Sequence, residues 1–124
     1  MTLDKPEVTL PAGAPPADLV VEDITVGDGV EARPGQQVSV HYVGVSMSTG
    51  REFDASWNRG GTFDFSLGRG QVISGWDQGV AGMRVGGRRK LVIPPHLGYG
   101  DRGAGGLIKP GETLVFVVDL LGVR

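Results

Sequence analysis

The sequence has 124 residues, enough for one domain with a buried core, and its 12 basic and 14 acidic side chains leave a formal charge of −2, which argues against nucleic acid as the main partner. Cysteine is absent and there are only two histidines, His41 and His96, so disulfides, thiolate metal sites, a cysteine nucleophile and a histidine-rich metal centre are all excluded. With 22 glycines and 8 prolines the chain favours short strands joined by turns and rules out a helical bundle.

In chain order, residues 1–17 hold Pro6, Pro11, Pro15 and Pro16 among small residues and read as an extended leader outside the core. A single domain is expected over 18–124. Leu19 to Val26 is a β-rich run closed by the Gly27-Asp28-Gly29 turn. After Arg33-Pro34-Gly35, Val38, Val40 and Tyr42 fall on one face of a strand and Ser39 and His41 on the other, which predicts a solvent-facing, structural His41. Glu52-Phe53-Asp54 reads as the start of a loop through Trp57, Asn58, Arg59 and Gly60-Gly61. Phe63, Phe65 and Leu67 then alternate as a strand. Between Gln71 and Met83, Val72, Trp76 and Val80 are spaced as on a helix, which Gly75, Gly79 and Gly82 weaken, so packing must hold it. A further strand ends at Leu91-Val92-Ile93, before Pro94-Pro95, and 96–112 form a Gly-rich loop. In the last strand Leu114, Phe116, Val118 and Leu120 share one face while Val115 and Val117 make the other apolar too, which predicts a central strand covered on both sides. The expected class is α+β, a strongly curved antiparallel sheet of about five strands around one short helix.

Charge is uneven. Residues 1–31 carry seven acids against Lys5, whereas Arg84, Arg88, Arg89 and Lys90 form the densest basic cluster, read as a solvated face. The longest apolar run, Leu114 to Val118, is far short of the about twenty residues of a membrane span. No basic segment followed by an apolar one opens the sequence, so no membrane association and a cytoplasmic setting are expected.

Several chemical motifs fail. Gly98-Tyr-Gly-Asp-Arg-Gly103 fits the spacing of a dinucleotide-binding turn, but the Ala-Gly-Gly-Leu-Ile-Lys-Pro that follows cannot start the helix such a turn requires. No phosphate loop, nucleophile elbow or serine in a nucleophile context is present. A barrel for single-stranded nucleic acid would interleave surface aromatics with Lys and Arg, whereas here the aromatics lie among apolar residues. All eight of them, Tyr42, Phe53, Trp57, Phe63, Phe65, Trp76, Tyr99 and Phe116, fall within the body of the domain. Tyr99 comes from a Gly-rich loop, which suggests an aromatic-walled pocket as readily as ordinary core.

The stretches Val40-His-Tyr-Val-Gly, Gly50-Arg-Glu-Phe-Asp-Ala-Ser, Phe63-Asp-Phe-Ser-Leu-Gly, Val72-Ile-Ser-Gly-Trp-Asp-Gln-Gly-Val, Leu97-Gly-Tyr-Gly and Leu114-Val-Phe-Val-Val-Asp-Leu-Leu occur in that order. Together they resemble the FKBP family of peptidyl-prolyl cis/trans isomerases over residues 19–124. The resemblance implies that a prolyl ring rests on Trp76, that Tyr42, Phe53, Phe63 and Phe116 wall the pocket above Val72 and Ile73, and that Leu107 and Ile108 close one side. It implies polar contacts from Asp54, Tyr99 and the Ile73 N–H, with Arg59 beside Asp54. No cofactor or metal is implied. The implied partners are proline-containing polypeptides and macrolide inhibitors of the tacrolimus and rapamycin type, bound by a monomer. A fold-conserving binding module without turnover is the competing reading, which intact Tyr42, Asp54, Trp76 and Tyr99 oppose. Asp54 beside an apolar pocket must either pair, with Arg59 or Tyr42, or shift its pKa upward. The long loop departs from the family pattern at Ala104-Gly105-Gly106, where a bulkier tip is common.

Overall fold

A computed structural model describes residues 3–124; Met1 and Thr2 of the expected leader lie outside the described residues. Six strands form one antiparallel sheet: β1 (Val20–Thr25), β2 (Gln37–Ser46), β3 (Glu52–Ala55), β4 (Phe63–Ser66), β5 (Arg88–Ile93) and β6 (Leu114–Val123). Their order is β1-β5-β6-β2-β3, with β4 also on β2, so β3 and β4 lie one after the other along the same edge of the long strand β2. The strand beyond the five expected is β3. Its one apolar ring, Phe53, gives no alternating signal, and the strand exists because its backbone pairs with Val43, Gly44 and Val45. Register shifts at Gly44/Val45, Ser39/Val40 and Asp23/Thr25 bend the sheet, as bulges do.

The concave face carries the main core. Val38, Val40, Leu91, Ile93, Leu114, Val118 and Leu120 are wholly buried against Trp76, Val80, Phe65 and Leu67. The helix α1 (Ser74–Gly79) is shorter than the Gln71–Met83 spacing suggests. Residues 71–73 lie before it outside the helix, with Ile73 at φ −59° and ψ 150°, and Gly82 lies beyond its end at φ +89°. The helical glycines are the means of packing. A Cβ on Gly75 would come within 2.6 Å of Ile93, and one on Gly79 within 2.6 Å of Leu91. Their helical cost, roughly 1 kcal/mol each against Ala, is the condition for setting α1 directly on β5.

The opposite face is also covered, as the double-sided apolar pattern of β6 predicts. Val45, Val92 and Val115 form a second cluster against Val8 and Met47. The leader, although its described residues form neither helix nor strand, is therefore attached: Asp4 O accepts from Arg88 Nη2 at 2.9 Å, Lys5 pairs with Glu52 at 2.9 Å and Leu10 reaches Gly50. It crosses the outer face from β5 to the turn after β2. The basic cluster is likewise more than a solvated face. Arg88 grips the buried Asp119 with two nitrogens, at 2.7 and 3.2 Å, and Arg89 pairs with Asp23 while donating to the Gly79 and Ala81 carbonyls at the end of α1. Arg84 donates to Gly29 O, so three of the four cations tie loops and strands together. Deleting residues 1–16 is expected to leave activity intact but to lower stability by about 1–2 kcal/mol, the scale of uncovering one Val on that face. Urea unfolding checks this, and an unchanged midpoint would show that the leader contributes nothing.

Candidate functional site

Between α1, the inner ends of β2 and β6, and the 96–112 loop lies a cavity of about 500 Å³ lined by Tyr42, Phe53, Asp54, Phe63, Gln71, Val72, Ile73, Trp76, Tyr99 and Phe116. Alternation along β2 and β6 turns Tyr42 and Phe116 inward, and the two sit on neighbouring strands where Gly44 pairs with Phe116. Gly44 ends the Val40-His-Tyr-Val-Gly stretch, but its role emerges only in the fold. A Cβ there would stand 2.6 Å from the Phe116 ring and 2.7 Å from that of Phe53, so the missing side chain is what lets these two rings meet edge to face at 5.5 Å.

Trp76 forms the floor. It is 4% exposed and lies nearly perpendicular to Tyr42, Phe63 and Phe116 at 4.9, 6.0 and 5.3 Å. Such edge-to-face contacts fix the plane of the indole better than area burial alone. Its Nε1 is buried without a hydrogen-bond partner. Val72 and Ile73 precede the helix, and the Ile73 carbonyl accepts from Trp76 N at 2.9 Å and Asp77 N at 3.2 Å. Asp77 in turn accepts from Gly68 N and Gly70 N, fixing the loop after β4 beside the helix.

The polar edge is a closed triad. Tyr42 Oη donates to Asp54 at 2.5 Å, Arg59 Nη1 donates to Asp54 at 2.7 Å, and Arg59 Nη2 donates to Tyr42 Oη at 2.8 Å. Burial by itself would raise the Asp54 pKa, but the hydrogen bonds from Tyr42 and Arg59 outweigh it and hold the carboxyl below its usual range. Pairing, not an upward shift, is thus the outcome for Asp54. Burial, with the bond to Asp54, pushes the Tyr42 hydroxyl up, and burial and the Asp54 charge do the same to Tyr99. The turn that carries Arg59, Ser56–Arg59, is anchored from beneath. Ser56 Oγ accepts from the Tyr42 N–H at 2.8 Å and lies 2.8 Å from His41 Nδ1. The His41 ring stacks on Trp57 at 4.2 Å, so His41 is half-buried and not solvent-facing as the alternation predicts.

Nine of the expected site residues, Tyr42, Phe53, Asp54, Phe63, Val72, Ile73, Trp76, Tyr99 and Phe116, therefore meet around one cavity. Three stand apart from its lining. Arg59 lies behind Asp54, Ile108 is buried in the main core, and Leu107, 64% exposed, borders a neighbouring cavity. Gln71 joins the lining unannounced, since a lone polar residue before an apolar pair carries no sequence signal.

Known proteins with related sequences agree with this architecture. A family profile described as FKBP-type peptidyl-prolyl cis-trans isomerase matches residues 29–121. An FK506-binding protein of Streptomyces anulatus is 68% identical over 124 residues, covering 99% of this chain and 100% of the relative. A probable FK506-binding protein of Corynebacterium glutamicum is 54% identical over 119 residues, or 96% and 98% of the two chains, and the peptidyl-prolyl cis-trans isomerase FPR2 of Saccharomyces cerevisiae 50% over 106, or 85% and 78%. The crystal structure of AtFKBP13 superposes with a TM-score of 0.79 at 44% identity, covering 86% of this chain and 93% of its own. With the motif order, the curved sheet on one short helix and the aromatic cavity all in place, the chain belongs to the FKBP-type peptidyl-prolyl cis-trans isomerases.

Proposed function

We propose that the cavity receives the prolyl ring of an X-Pro segment on Trp76 and speeds rotation of the preceding amide by desolvation and by fit to the twisted conformer. The observation that carries this reading is the character of the lining: seven aromatic or aliphatic side chains, Tyr99 and Gln71, and one carboxylate already ion-paired with Arg59 and hydrogen-bonded to Tyr42. No σ bond breaks in this reaction. Resonance holds the amide planar behind a barrier of about 18–20 kcal/mol. Twisting removes the charge separation between carbonyl and nitrogen, so an apolar site disfavours the planar form more than the twisted one. The Ile73 N–H, which makes no backbone hydrogen bond among the described residues, and the Tyr99 hydroxyl are suited to hold peptide carbonyls at the edge. The residue X is placed against exposed Leu107.

The reading extends to ligand and setting. Its relatives' names support macrolides of the tacrolimus type as inhibitors, with affinity tuned by the small Ala104-Gly105-Gly106 tip. Proline-containing polypeptides are the proposed substrates, turned over by a monomer in the cytoplasm, a setting to which a cysteine-free sequence is suited.

Two measurements bear on it. In a series of Xaa-Pro tetrapeptides, Leu at X should exceed Glu by about ten-fold or more in kcat/KM, since Leu buries apolar area against Leu107 whereas Glu would be partly desolvated there. Equal rates would remove X from this rim, and no acceleration with any peptide would leave only a binding module. The pH dependence should be flat between about pH 5 and 9, because Asp54 is held low and Tyr42 and Tyr99 are held high. Stability changes outside that window. The lowered Asp54 stabilises the fold above its unfolded pKa near about 4, and this is lost as the pH falls through its folded value. The raised Tyr42 stabilises below about pH 10, and this is lost as the pH rises beyond. A bell-shaped rate profile with a limb near neutrality would overturn the mechanism.

A further inference from the structure

A second cavity, of about 180 Å³, adjoins the first and shares a single lining residue with it, Phe53. The end of β2, the turn beyond and the start of β3 supply Ser46, Thr49, Arg51 and Glu52, and the 96–112 loop supplies Gly106, Leu107, Lys109 and Glu112. The four charged groups are not equivalent. Glu112 is 8% exposed and accepts from Ser48 Oγ at 2.6 Å and Ser48 N at 3.3 Å. Glu52 is paired with Lys5 at 2.9 Å and accepts from Asn58 at 3.0 Å; those two bonds hold its carboxyl below the usual range. Both carboxylates are thus engaged. Arg51 and Lys109 are exposed, and among the described residues neither side chain makes an ion pair. Glu52 is offset by Lys5 and Glu112 is buried on Ser48, so among the described residues the exposed, unpaired charges at the mouth are those of Arg51 and Lys109, beside an apolar step made by Phe53 and Leu107.

We propose that this second cavity is a substrate subsite for an acidic side chain, that of the residue immediately upstream of X in the polypeptide. The inference rests on the placement of X against Leu107 given above. With the prolyl ring on Trp76 and X on Leu107, the chain leaves the first cavity across the step it shares with the second, and one more residue, about 3.3–3.6 Å of extended chain, carries the next side chain over that step. A Glu or Asp there meets the Arg51 guanidinium and the Lys109 ammonium. A Lys there meets the same charges with the opposite sign. Because both cations are exposed, their contribution is to selection among substrates and to encounter rate rather than to tight binding.

The test is a set of pentapeptides Ala-Z-Leu-Pro-Phe with Z as Glu, Ala or Lys, assayed on the full chain at low and at high salt. The expected result is kcat/KM for Glu about three- to ten-fold above Ala, with Lys below Ala and the spread narrowing as salt screens the charges. In the Arg51→Ala/Lys109→Ala double variant, whose changes are both exposed, the Glu-to-Ala ratio should fall to about one, whereas Arg69→Ala, an exposed cation elsewhere, should keep it. Equal rates for Glu and Lys, or a Glu preference that survives in the double variant, would overturn the subsite. A preference for Lys would assign the cavity to Glu52 and Glu112 and overturn it equally. If Leu still exceeds Glu at X while Z makes no difference, the subsite alone falls. If discrimination at X is also lost, the placement of X on Leu107 falls with it.

Discussion

Trp76→Ala is expected to lower kcat/KM by about ten-fold or more, at least 1.4 kcal/mol of transition-state stabilisation, and to destabilise the fold by about 3–5 kcal/mol. The two losses have different origins. The indole is the floor of the cavity, and it also fills the centre of an aromatic box of Tyr42, Phe63, Phe65 and Phe116, so its removal leaves a void that the glycine-packed helix cannot close by moving nearer to β5. Trp76→Leu and Trp76→Phe separate the effects. Leu restores much of the volume but no flat ring, and Phe keeps a ring of smaller area. If activity follows the aromatic surface, Phe should retain more of it than Leu at similar stability, measured by a protease-coupled assay beside urea unfolding. A Leu variant that is both stable and fully active would make the indole simple core.

Gly44→Ala carries the second largest expected effect, from the addition of one methyl group. The new Cβ would overlap both Phe116 and Phe53, and neither ring can retreat freely because Phe116 is wedged against Trp76 and Tyr42. Overpacking of this kind costs about 1–3 kcal/mol. The activity should suffer as well, because the displaced rings are two walls of the cavity, and kcat/KM is expected to fall by about ten-fold or more. Gly44→Ala/Phe53→Leu, which gives the methyl room on one side, should recover stability. A single variant with wild-type kinetics and unfolding midpoint would mean that β2 can shift to absorb the methyl.

The residues that could be read from the sequence were those whose position follows from period or motif. The faces of β2 and β6 follow from alternation, and Trp76 follows from the four-residue spacing with Val72 and Val80. The helix ends did not, because local spacing continues through Gly82 while backbone conformation does not. His41 was misplaced for a similar reason: alternation puts it on the outer face, and only the fold brings Trp57 over it. The roles of Gly44 and Gln71 were not legible in the sequence. The first acts through a side chain it lacks, and the second through a place in space that no local pattern encodes. Leu107 and Ile108 are adjacent in sequence, yet a tight turn from Ala104 to Ile108 sends one outward and the other into the core.

The position of β6 has a consequence for biosynthesis. The strand in the middle of the sheet, flanked by β2 and β5, is the last one in the chain, and it joins Val38 to Val123 and Ser46 to Leu114. Until it leaves the ribosome, β2 and β5 have no common neighbour and the aromatic box lacks Phe116. Pairings between such distant segments are slow to form and leave strand edges open while they wait. The sheet can therefore close only after β6, which pairs with both β2 and β5, has been made.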